Sequence, residues 1–226
     1  ELKAGLLRHH ENVLLVDGFS SSEAFGLGFS IMTKDQEIEV ASFKIGPNCR
    51  VLTEDFKEVQ PGSGETGMVA DRGFLPVGYY KDQKKTDETF KVIGGVRYSI
   101  PGDWVRVEDD GSLTLLGRGS NCINTAGEKV YPEEVEEVLK YHDSVNDALV
   151  LGVKNEKWGQ SITAVVQLAP GSHLDELELR EFSRQHLAAY KIPKRILQKE
   201  NLERAPNGKA DYKSIRSFAE SALGIS

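Results

Sequence analysis

Residues 116–136 contain the feature that most constrains the fold of this chain. The segment reads as an apolar strand ending at Arg118, a short polar link, a turn centred on Gly127, and a helix that begins at Pro132. Proline suits the first position of a helix because its missing N–H would have no partner there, and Glu133-Glu134 complements the helix dipole. The chain therefore changes character here, which predicts a boundary between two folding units.

The part before this boundary is predicted to be rich in strands. Residues 13–16 form a short apolar run bounded by polar residues, which favours a buried parallel strand that delivers residues 17–23 onto a loop at its carboxyl end. From residue 39 to residue 116, short β-type runs alternate with turns, and Asp109-Asp110-Gly111 is a hairpin signal. This pattern predicts a small β-barrel or a curled sheet.

The part after the boundary alternates between helical and strand patterns. Besides the helix at Pro132, we expect strands at residues 145–153 and 162–168, a helix over residues 174–187 and a short strand at residues 196–197. Asp211 can cap a final helix that ends at Leu223. The alternation predicts a compact α+β domain from about residue 121 onward.

Composition excludes several function classes. Lys and Arg number 28 against 35 Asp and Glu, for a net charge of −7, and no basic run occurs, so nucleic acid is not an expected partner. The best apolar run is far shorter than a membrane span, so no transmembrane segment is expected. Cys49 and Cys122 lie far apart without CxxC spacing, which favours a reducing, cytoplasmic location. The histidines show no zinc-ligand spacing.

Several polar motifs are candidates for a functional site. They are Asp17-Gly18-Phe19-Ser20-Ser21-Ser22-Glu23, Pro101-Gly102-Asp103-Trp104, Thr125-Ala126-Gly127-Glu128-Lys129 and Pro206-Asn207-Gly208-Lys209. Taken singly, each has an ordinary interpretation as a solvated turn or a salt bridge on a hairpin. No GxxxxGK[ST] phosphate loop and no GxSxG elbow occurs in the sequence. Their order and spacing, with 14 residues from Asp103 to Gly117, favour a functional interpretation.

Together these motifs resemble the adenylate-forming enzymes, which include acyl- and aryl-CoA synthetases, adenylation domains of peptide synthetases, and luciferases. The resemblance covers nearly the whole chain but matches only the C-terminal part of such an enzyme. It implies an α/β and α+β fold. Residues 1–117 would be the end of the large domain with its β subdomain, residues 118–120 a hinge, and residues 121–226 a mobile α+β domain.

The resemblance implies roles for the first motif in binding ATP. Phe19 would stack on adenine, with Asp17 and Gly18 beside the base. The hydroxyl of Ser22 would bind phosphate, and Glu23 would hold Mg²⁺, a hard cation that prefers oxygen ligands. The family's usual glycine after the aromatic residue is replaced here by serine.

The resemblance also implies a nucleotide clamp and a catalytic lysine. Asp103 would accept the ribose hydroxyls, and Arg118 would donate to ribose and phosphate oxygens. Lys209 would bridge the substrate carboxylate and the α-phosphate as charge develops there.

A hinge and a second catalytic loop follow from the same resemblance. Ser120 stands at the pivot position, where the family often has Asp or Lys. Gly127, with Glu128 beside it, would line the passage for the pantetheine arm of coenzyme A once the domain has rotated. The block at residues 78–81 with Thr86 is interpreted as structural only.

The implied parent enzyme is an AMP-forming acid–CoA ligase of lipid metabolism. It would activate a small-molecule carboxylic acid, fatty or sterol-side-chain, with ATP and Mg²⁺, and transfer the acyl group to coenzyme A. Two alternatives stay open. The chain could be a catalytically inactive fragment that retains part of the nucleotide site, because the N-terminal portion of the family is absent from it. It could instead belong to an adenylation domain that loads a carrier protein.

Overall fold

The structure is a computed structural model that describes residues 2–9, 12–34 and 42–225. The chain divides into two compact units, Glu1–Leu116 and Gly117–Ser226. The predicted start of the strand-rich region at residue 39 lies outside the described residues. Within the described ranges, no helix is both long enough and apolar enough to cross a membrane.

The first unit is built mainly from short strands. Its helices are α1 (Leu2–Arg8) and α2 (Gln83–Thr89), and its strands are β1 (Leu15–Phe19), β2 (Gly28–Met32), β3 (Ser42–Ile45), β4 (Cys49–Leu52), β5 (Thr66–Asp71), β6 (Phe90–Ile93), β7 (Val96–Ser99), β8 (Asp103–Val107) and β9 (Leu113–Arg118). The strands form one sheet in the order β1-β2-β3-β9-β8-β5-β7-β6, with β4 beside β5. Buried Val69, Val105 and Leu113 lie in its core.

Strand β1 differs from the prediction for residues 13–16. It pairs antiparallel with β2, with Asp17 opposite Ser30, rather than lying parallel inside a sheet. Its side chains alternate between more and less accessible positions, and Val16 is 64% exposed. The strand also runs on to Phe19, so it contains residues that we expected on the loop. Among the described residues β1 therefore has an antiparallel neighbour and no parallel one, which differs from the prediction, because an apolar run alone does not specify the direction of the neighbouring strand.

The hairpin predicted at Asp109-Asp110-Gly111 is present between β8 and β9. The Glu108 N–H donates to the carbonyl of Ser112 at 2.9 Å, and the Gly111 N–H donates to the carbonyl of Glu108 at 2.9 Å. Gly111 has φ +81°, a conformation that glycine adopts without steric cost. This local signal was sufficient to predict the turn.

The second unit is an α+β arrangement, as predicted. Its strands are β10 (Ile123–Thr125), β11 (Glu128–Val130), β12 (Val145–Asn155), β13 (Gly159–Leu168) and β14 (Arg195–Gln198), and its helices are α3 (Pro132–Lys140), α4 (Glu176–His186) and α5 (Tyr212–Leu223). The sheet order is β11-β10-β13-β12, with β14 parallel to β13.

Helices α3 and α5 begin where the sequence predicts, whereas the helix predicted over residues 174–187 spans Glu176–His186. Pro132 starts α3 with Glu133 and Glu134 in the first turn, and the Asp211 carboxylate caps α5 by accepting from the N–H groups of Lys213 and Ser214. Fully buried Val135 and Leu139 of α3 pack with strand residues of β12 and β13 in the main core cluster. Capping and amphipathic spacing therefore agree with the tertiary packing.

Candidate active site

The Ser-rich segment after β1 forms a tight turn. The Ser21 hydroxyl accepts from the N–H groups of Glu23 at 3.2 Å and Ala24 at 3.1 Å, and the backbones of Ser21 and Ala24 bond to each other. Ser20 accepts from the N–H of Gly26 at 3.1 Å. Two hydroxyls thus hold the turn, and Ser22 remains exposed. Ser22 and Glu23 are adjacent in this turn, and their phosphate and metal roles stay predictions.

The Glu23 carboxylate is held by a residue that we had interpreted as structural only. The Tyr79 hydroxyl donates to Glu23 Oε1, and the Lys85 Nζ lies 4.1 Å from the centroid of the Tyr79 ring. The hydrogen bond from Tyr79 lowers the pKa of Glu23, and the positive charge of Lys85 acts in the same direction. Glu23 is therefore ionised and oriented near neutral pH.

This carboxylate fits the demands of Mg²⁺. Among the described residues, no cluster of three or more His, Cys, Asp or Glu side chains could enclose a metal ion. Mg²⁺ commonly takes one or two protein carboxylates and completes its shell with water and substrate phosphates. A single ionised Glu23 beside a hydroxyl-rich turn is the donor set expected for a nucleotide-bound magnesium ion.

The remaining residues of the first motif occupy different environments. Phe19 is only 8% exposed and packs against Phe43, with ring centroids 5.3 Å apart. Asp17 forms an ion pair with Lys3 at 2.6 Å, and Gly18 is exposed. The structure therefore gives the Phe19 ring a packing role in the core, and its stacking on adenine stays a prediction.

Asp103 is the first residue of β8. Asp103 is buried, with 8% of its surface exposed, and it follows Gly102, whose φ is +92°. In the sheet order, β8 is separated from β1 by β2, β3 and β9. Asp103 and the Glu23 turn thus belong to one unit, but the turn follows β1 whereas Asp103 begins β8. The ribose contact of Asp103 stays a prediction.

The predicted hinge begins at the end of β9. Arg118 is exposed and ends the strand, and its backbone N–H donates to Glu133 Oε1 of α3 at 3.4 Å. The residues that follow, Gly119–Asn121, form a single 3-10 turn closed by the Cys122 N–H on the carbonyl of Gly119 at 3.2 Å. Ser120 is exposed in this turn. One 3-10 turn thus links β9 to β10, and the hinge at Ser120 stays a prediction.

Gly127 lies at the tip of the hairpin formed by β10 and β11. Ala126 and Gly127 have φ of +53° and +90°, as a two-residue turn with both central residues in the left-handed region requires. A Cβ on Gly127 would meet no atom within 4 Å, and Glu128 is exposed beside it. The requirement for glycine here is conformational, since a side chain would meet no neighbouring atom, and the coenzyme A role of Gly127 stays a prediction.

Lys209 lies in an exposed turn with a dense set of backbone contacts. The Ala205 N–H donates to the carbonyl of Lys209 at 2.9 Å, and the Gly208 N–H donates to the carbonyl of Ala205 at 2.7 Å. The Lys209 N–H donates to Asn207 Oδ1 at 3.1 Å. The turn is therefore ordered although its residues are exposed.

Side chains from elsewhere in the second unit lie at both ends of this turn. Arg204 contacts Asp147 of β12, and the Tyr212 hydroxyl donates to Glu136 of α3 at 2.8 Å. Glu136 also accepts from the Val150 N–H at 2.8 Å, and burial raises the pKa of Glu136 to about 7. No local sequence pattern marks these residues, so the sequence did not predict them.

The chain matches known proteins in sequence and in fold. A family model described as the AMP-binding enzyme C-terminal domain matches residues 134–209, so the matched region ends at Lys209. A medium/long-chain-fatty-acid–CoA/3-oxocholest-4-en-26-oate–CoA ligase of Mycobacterium tuberculosis is 46% identical over 225 residues, covering 97% of this chain. The chain belongs to the adenylate-forming enzymes. The resemblance seen in the sequence is thereby confirmed.

Other adenylate-forming enzymes agree with this result. A 3-oxocholest-4-en-26-oate–CoA ligase of Rhodococcus rhodochrous is 46% identical over 88% of this chain and is covered over 36% of its own length. The solved amide bond synthetase of Marinactinospora thermotolerans matches 91% of this chain and 41% of its own, at 25% identity and a TM-score of 0.78. The fold class is confirmed.

The chain spans 40% of the length of the M. tuberculosis relative, and it corresponds to the C-terminal part of an adenylate-forming enzyme. A solved o-succinylbenzoate CoA synthetase of Bacillus subtilis, in complex with its acyl-adenylate intermediate, shows the same partial match, covering 34% of that chain at 28% identity and a TM-score of 0.67.

Proposed function

We propose that this chain serves an enzyme that activates a carboxylic acid with ATP as acyl-AMP and transfers the acyl group to coenzyme A. The observation that carries the proposal is Lys209, an exposed ammonium on an ordered turn at the end of the matched C-terminal domain. A flexible cationic side chain on a fixed backbone can follow the charge that develops on a phosphate.

The first unit contributes to the nucleotide site. Glu23, ionised and held by Tyr79, would coordinate Mg²⁺, and Ser22 would donate to a phosphate oxygen. When bound, Mg²⁺ neutralises phosphate charge and makes pyrophosphate a better leaving group. Asp103 would accept from the ribose hydroxyls, and Arg118 at the end of β9 would donate to ribose and phosphate oxygens.

The first half-reaction forms the acyl-adenylate. A carboxylate oxygen of the acid attacks the α-phosphorus of ATP, and the bond from that phosphorus to the β-phosphate bridging oxygen breaks, releasing pyrophosphate. Lys209 would donate hydrogen bonds to the carboxylate and to a non-bridging α-phosphate oxygen, bringing two anions together. The lysine remains protonated throughout.

The second half-reaction forms the thioester. The coenzyme A thiol loses its proton and its sulfur attacks the carbonyl carbon of the acyl-adenylate, and AMP leaves with the bonding electron pair. The open Gly127 tip, with Glu128 beside it, would lie along the pantetheine arm. Rotation about Ser120 would exchange Lys209 for Gly127 between the two half-reactions.

The acid is proposed to be a fatty or sterol-side-chain acid, since two relatives at 46% identity carry names that specify such acids. The reaction would take place in the cytoplasm with ATP and coenzyme A as diffusible co-substrates. Most of the pocket for the acid would lie outside this chain, in the N-terminal portion of the enzyme.

The test uses a chimaera in which this chain replaces the corresponding part of the M. tuberculosis relative. We expect the chimaera to release pyrophosphate and to form acyl-CoA with medium-chain, long-chain and sterol-side-chain acids. The 226-residue chain alone should release none above a blank without enzyme. The matched controls are the relative itself and a chimaera carrying Glu23→Ala.

The outcomes separate the alternatives. Pyrophosphate release that continues without thioester formation, but with transfer to a carrier protein, would favour a carrier-loading adenylation domain. A folded chimaera that binds AMP yet releases no pyrophosphate would favour an inactive nucleotide-site module. Turnover by the isolated chain would contradict the proposed division of the active site.

A further inference from the structure

Arg204 and Asp147 form a two-point ion pair in the second unit. Arg204 Nε donates to Asp147 Oδ2 at 2.6 Å, and Arg204 Nη2 donates to Asp147 Oδ1 at 2.9 Å. Paired N–H donors on a planar guanidinium fix direction as well as distance. Asp147 lies near the start of β12, directly after an irregularity in its pairing with β13. Arg204 is therefore fixed to the central sheet of its unit.

The same guanidinium makes a third contact, and this one reaches the catalytic turn. Arg204 Nη1 donates to the carbonyl oxygen of Gly208 at 3.2 Å, and Gly208 directly precedes Lys209. Gly208 has φ +79°, so it turns the chain sharply at this point. One arginine thus connects strand β12 with the peptide bond between Gly208 and the proposed catalytic lysine.

A second attachment lies on the other side of Lys209. Tyr212, at the start of α5, donates to Glu136, and Glu136 accepts from the N–H of Val150. Asp147 and Val150 both belong to β12, so both ends of the exposed turn are tied to one strand. The side chain of Lys209 projects from a backbone that is held on both sides.

We propose that Arg204 and Asp147 are positioning residues for Lys209, fixing the backbone of its turn during acyl-adenylate formation. This inference rests on the proposed function of Lys209. A flexible side chain reaches a phosphate oxygen productively only if its own backbone stays in place, and misplacement by about 1 Å can lower a rate about 100-fold. Neither Arg204 nor Asp147 needs to touch the substrate.

The Arg204–Asp147 pair is partly accessible to solvent. The side chains of Arg204 and Asp147 are 31% and 19% exposed, so solvent weakens their attraction. The third contact of Arg204 reaches a solvent-exposed turn, so we expect loss of Arg204 to loosen that turn before it affects the buried core. The pair should therefore affect the rate of adenylation more than the stability of the domain.

The first experiment measures both half-reactions in the chimaera. We expect Arg204→Ala and Asp147→Ala each to slow acyl-adenylate formation about 10- to 100-fold, mainly in kcat. Thioester formation from supplied acyl-adenylate should change by less than about threefold, because Lys209 acts in only one half-reaction. Arg184→Ala is the matched control, since the ion pair of Arg184 with Glu181 stays within helix α4.

A double-variant comparison tests whether the effect passes through Lys209. In a Lys209→Ala background, Arg204→Ala should slow adenylation no further. An additional loss there, an equal loss in both half-reactions, or normal adenylation in Asp147→Ala would overturn the inference. If Lys209→Ala itself leaves adenylation intact, the proposed function fails instead.

The second experiment needs no activity and uses the 226-residue chain. Amide hydrogen exchange in Arg204→Ala should accelerate about tenfold for Ala205, Gly208 and Lys209, the equivalent of losing one hydrogen bond. Amides in the β12–β13 ladder should keep their protection. Unchanged exchange in the turn, or faster exchange throughout the domain, would show that Arg204 does not position Lys209.

Discussion

The Gly127 tip and the Lys209 turn of the second unit are both exposed, but they are held in different ways. The Gly127 tip is fixed by the pairing of β10 with β11 and by the Ala126 N–H, which donates to the carbonyl of Trp158 at 3.0 Å. The Lys209 turn is not flanked by paired strands in the described residues; it is closed by backbone hydrogen bonds between Ala205 and Lys209 and between Gly208 and Ala205, and Arg204 also attaches it to β12. The pairing of two strands is enough to fix the backbone at Gly127. The long side chain of Lys209 has a fixed starting point only if its turn is also attached to the sheet by side chains.

The largest effect should come from removing the lysine. In the chimaera, Lys209→Ala should slow acyl-adenylate formation about 100- to 1,000-fold, the usual loss when one charge-stabilising donor is deleted. Thioester formation from supplied acyl-adenylate should stay within a few-fold of the parent. Pyrophosphate release and acyl-CoA formation, measured separately, check this. Equal losses would mean that the two turns do not divide the reaction.

Glu136 should make the attachment of the Lys209 turn depend on pH. Burial raises its pKa from 4.5 to about 7, so the folded state holds a proton that the unfolded state loses between these values. This contribution to stability is present below pH 4.5 and declines as pH rises toward 7. Glu136→Gln keeps an acceptor for Tyr212 and Val150 without the charge.

Glu136→Gln should therefore stabilise the domain above pH 7 by up to about 3 kcal/mol and leave its stability near pH 4.5 almost unchanged. Urea unfolding at several pH values measures the difference. Glu137→Gln, on the same helix but more accessible, is the control. A stability difference between Glu136→Gln and the parent that does not change with pH would contradict the raised pKa of Glu136. Amide hydrogen exchange that stays unchanged at the Gly127 tip in this variant would confine the effect to the Lys209 turn.

The Gly127 tip should respond to backbone geometry rather than to its surroundings. Gly127→Val places a β-branched residue at φ +90°, which costs about 1–3 kcal/mol of local strain although the space around it is open. Thioester formation should slow about 10-fold, and adenylation should change little. Asn, which tolerates this region better, should restore part of the rate. Full activity in Gly127→Val would remove the tip from the coenzyme A passage.

The smallest effect is expected at the predicted pivot. Ser120→Pro disfavours the helical conformation of Gly119 within the 3-10 turn, so it should hinder rotation. We expect thioester formation to slow about threefold to tenfold, with adenylation less affected, because domain motion limits only the passage between half-reactions. Single-turnover rates for each step measure this. If the rate of thioester formation is unchanged, the hinge lies elsewhere. Rotation about Ser120 would then not exchange the Lys209 turn for the Gly127 tip.

Local chemistry determined much of this protein from the sequence alone. Pro132 and Asp211 mark the starts of α3 and α5, and the glycines at 111 and 127 mark hairpin tips. These signals act between neighbouring residues, so no knowledge of the tertiary structure is needed to interpret them. The order of the motifs also identified the family, because each retains its own sequence pattern.

Only the tertiary structure decided which side chains hold the candidate site. Tyr79 lies 56 residues from Glu23, Arg204 lies 57 residues from Asp147, and Tyr212 lies 76 residues from Glu136. Such pairs leave no periodic or local signature, since packing brings them together only after the strands and helices have formed. The antiparallel pairing of β1 with β2 has the same origin, because the direction of a neighbouring strand is not encoded in the apolar run itself.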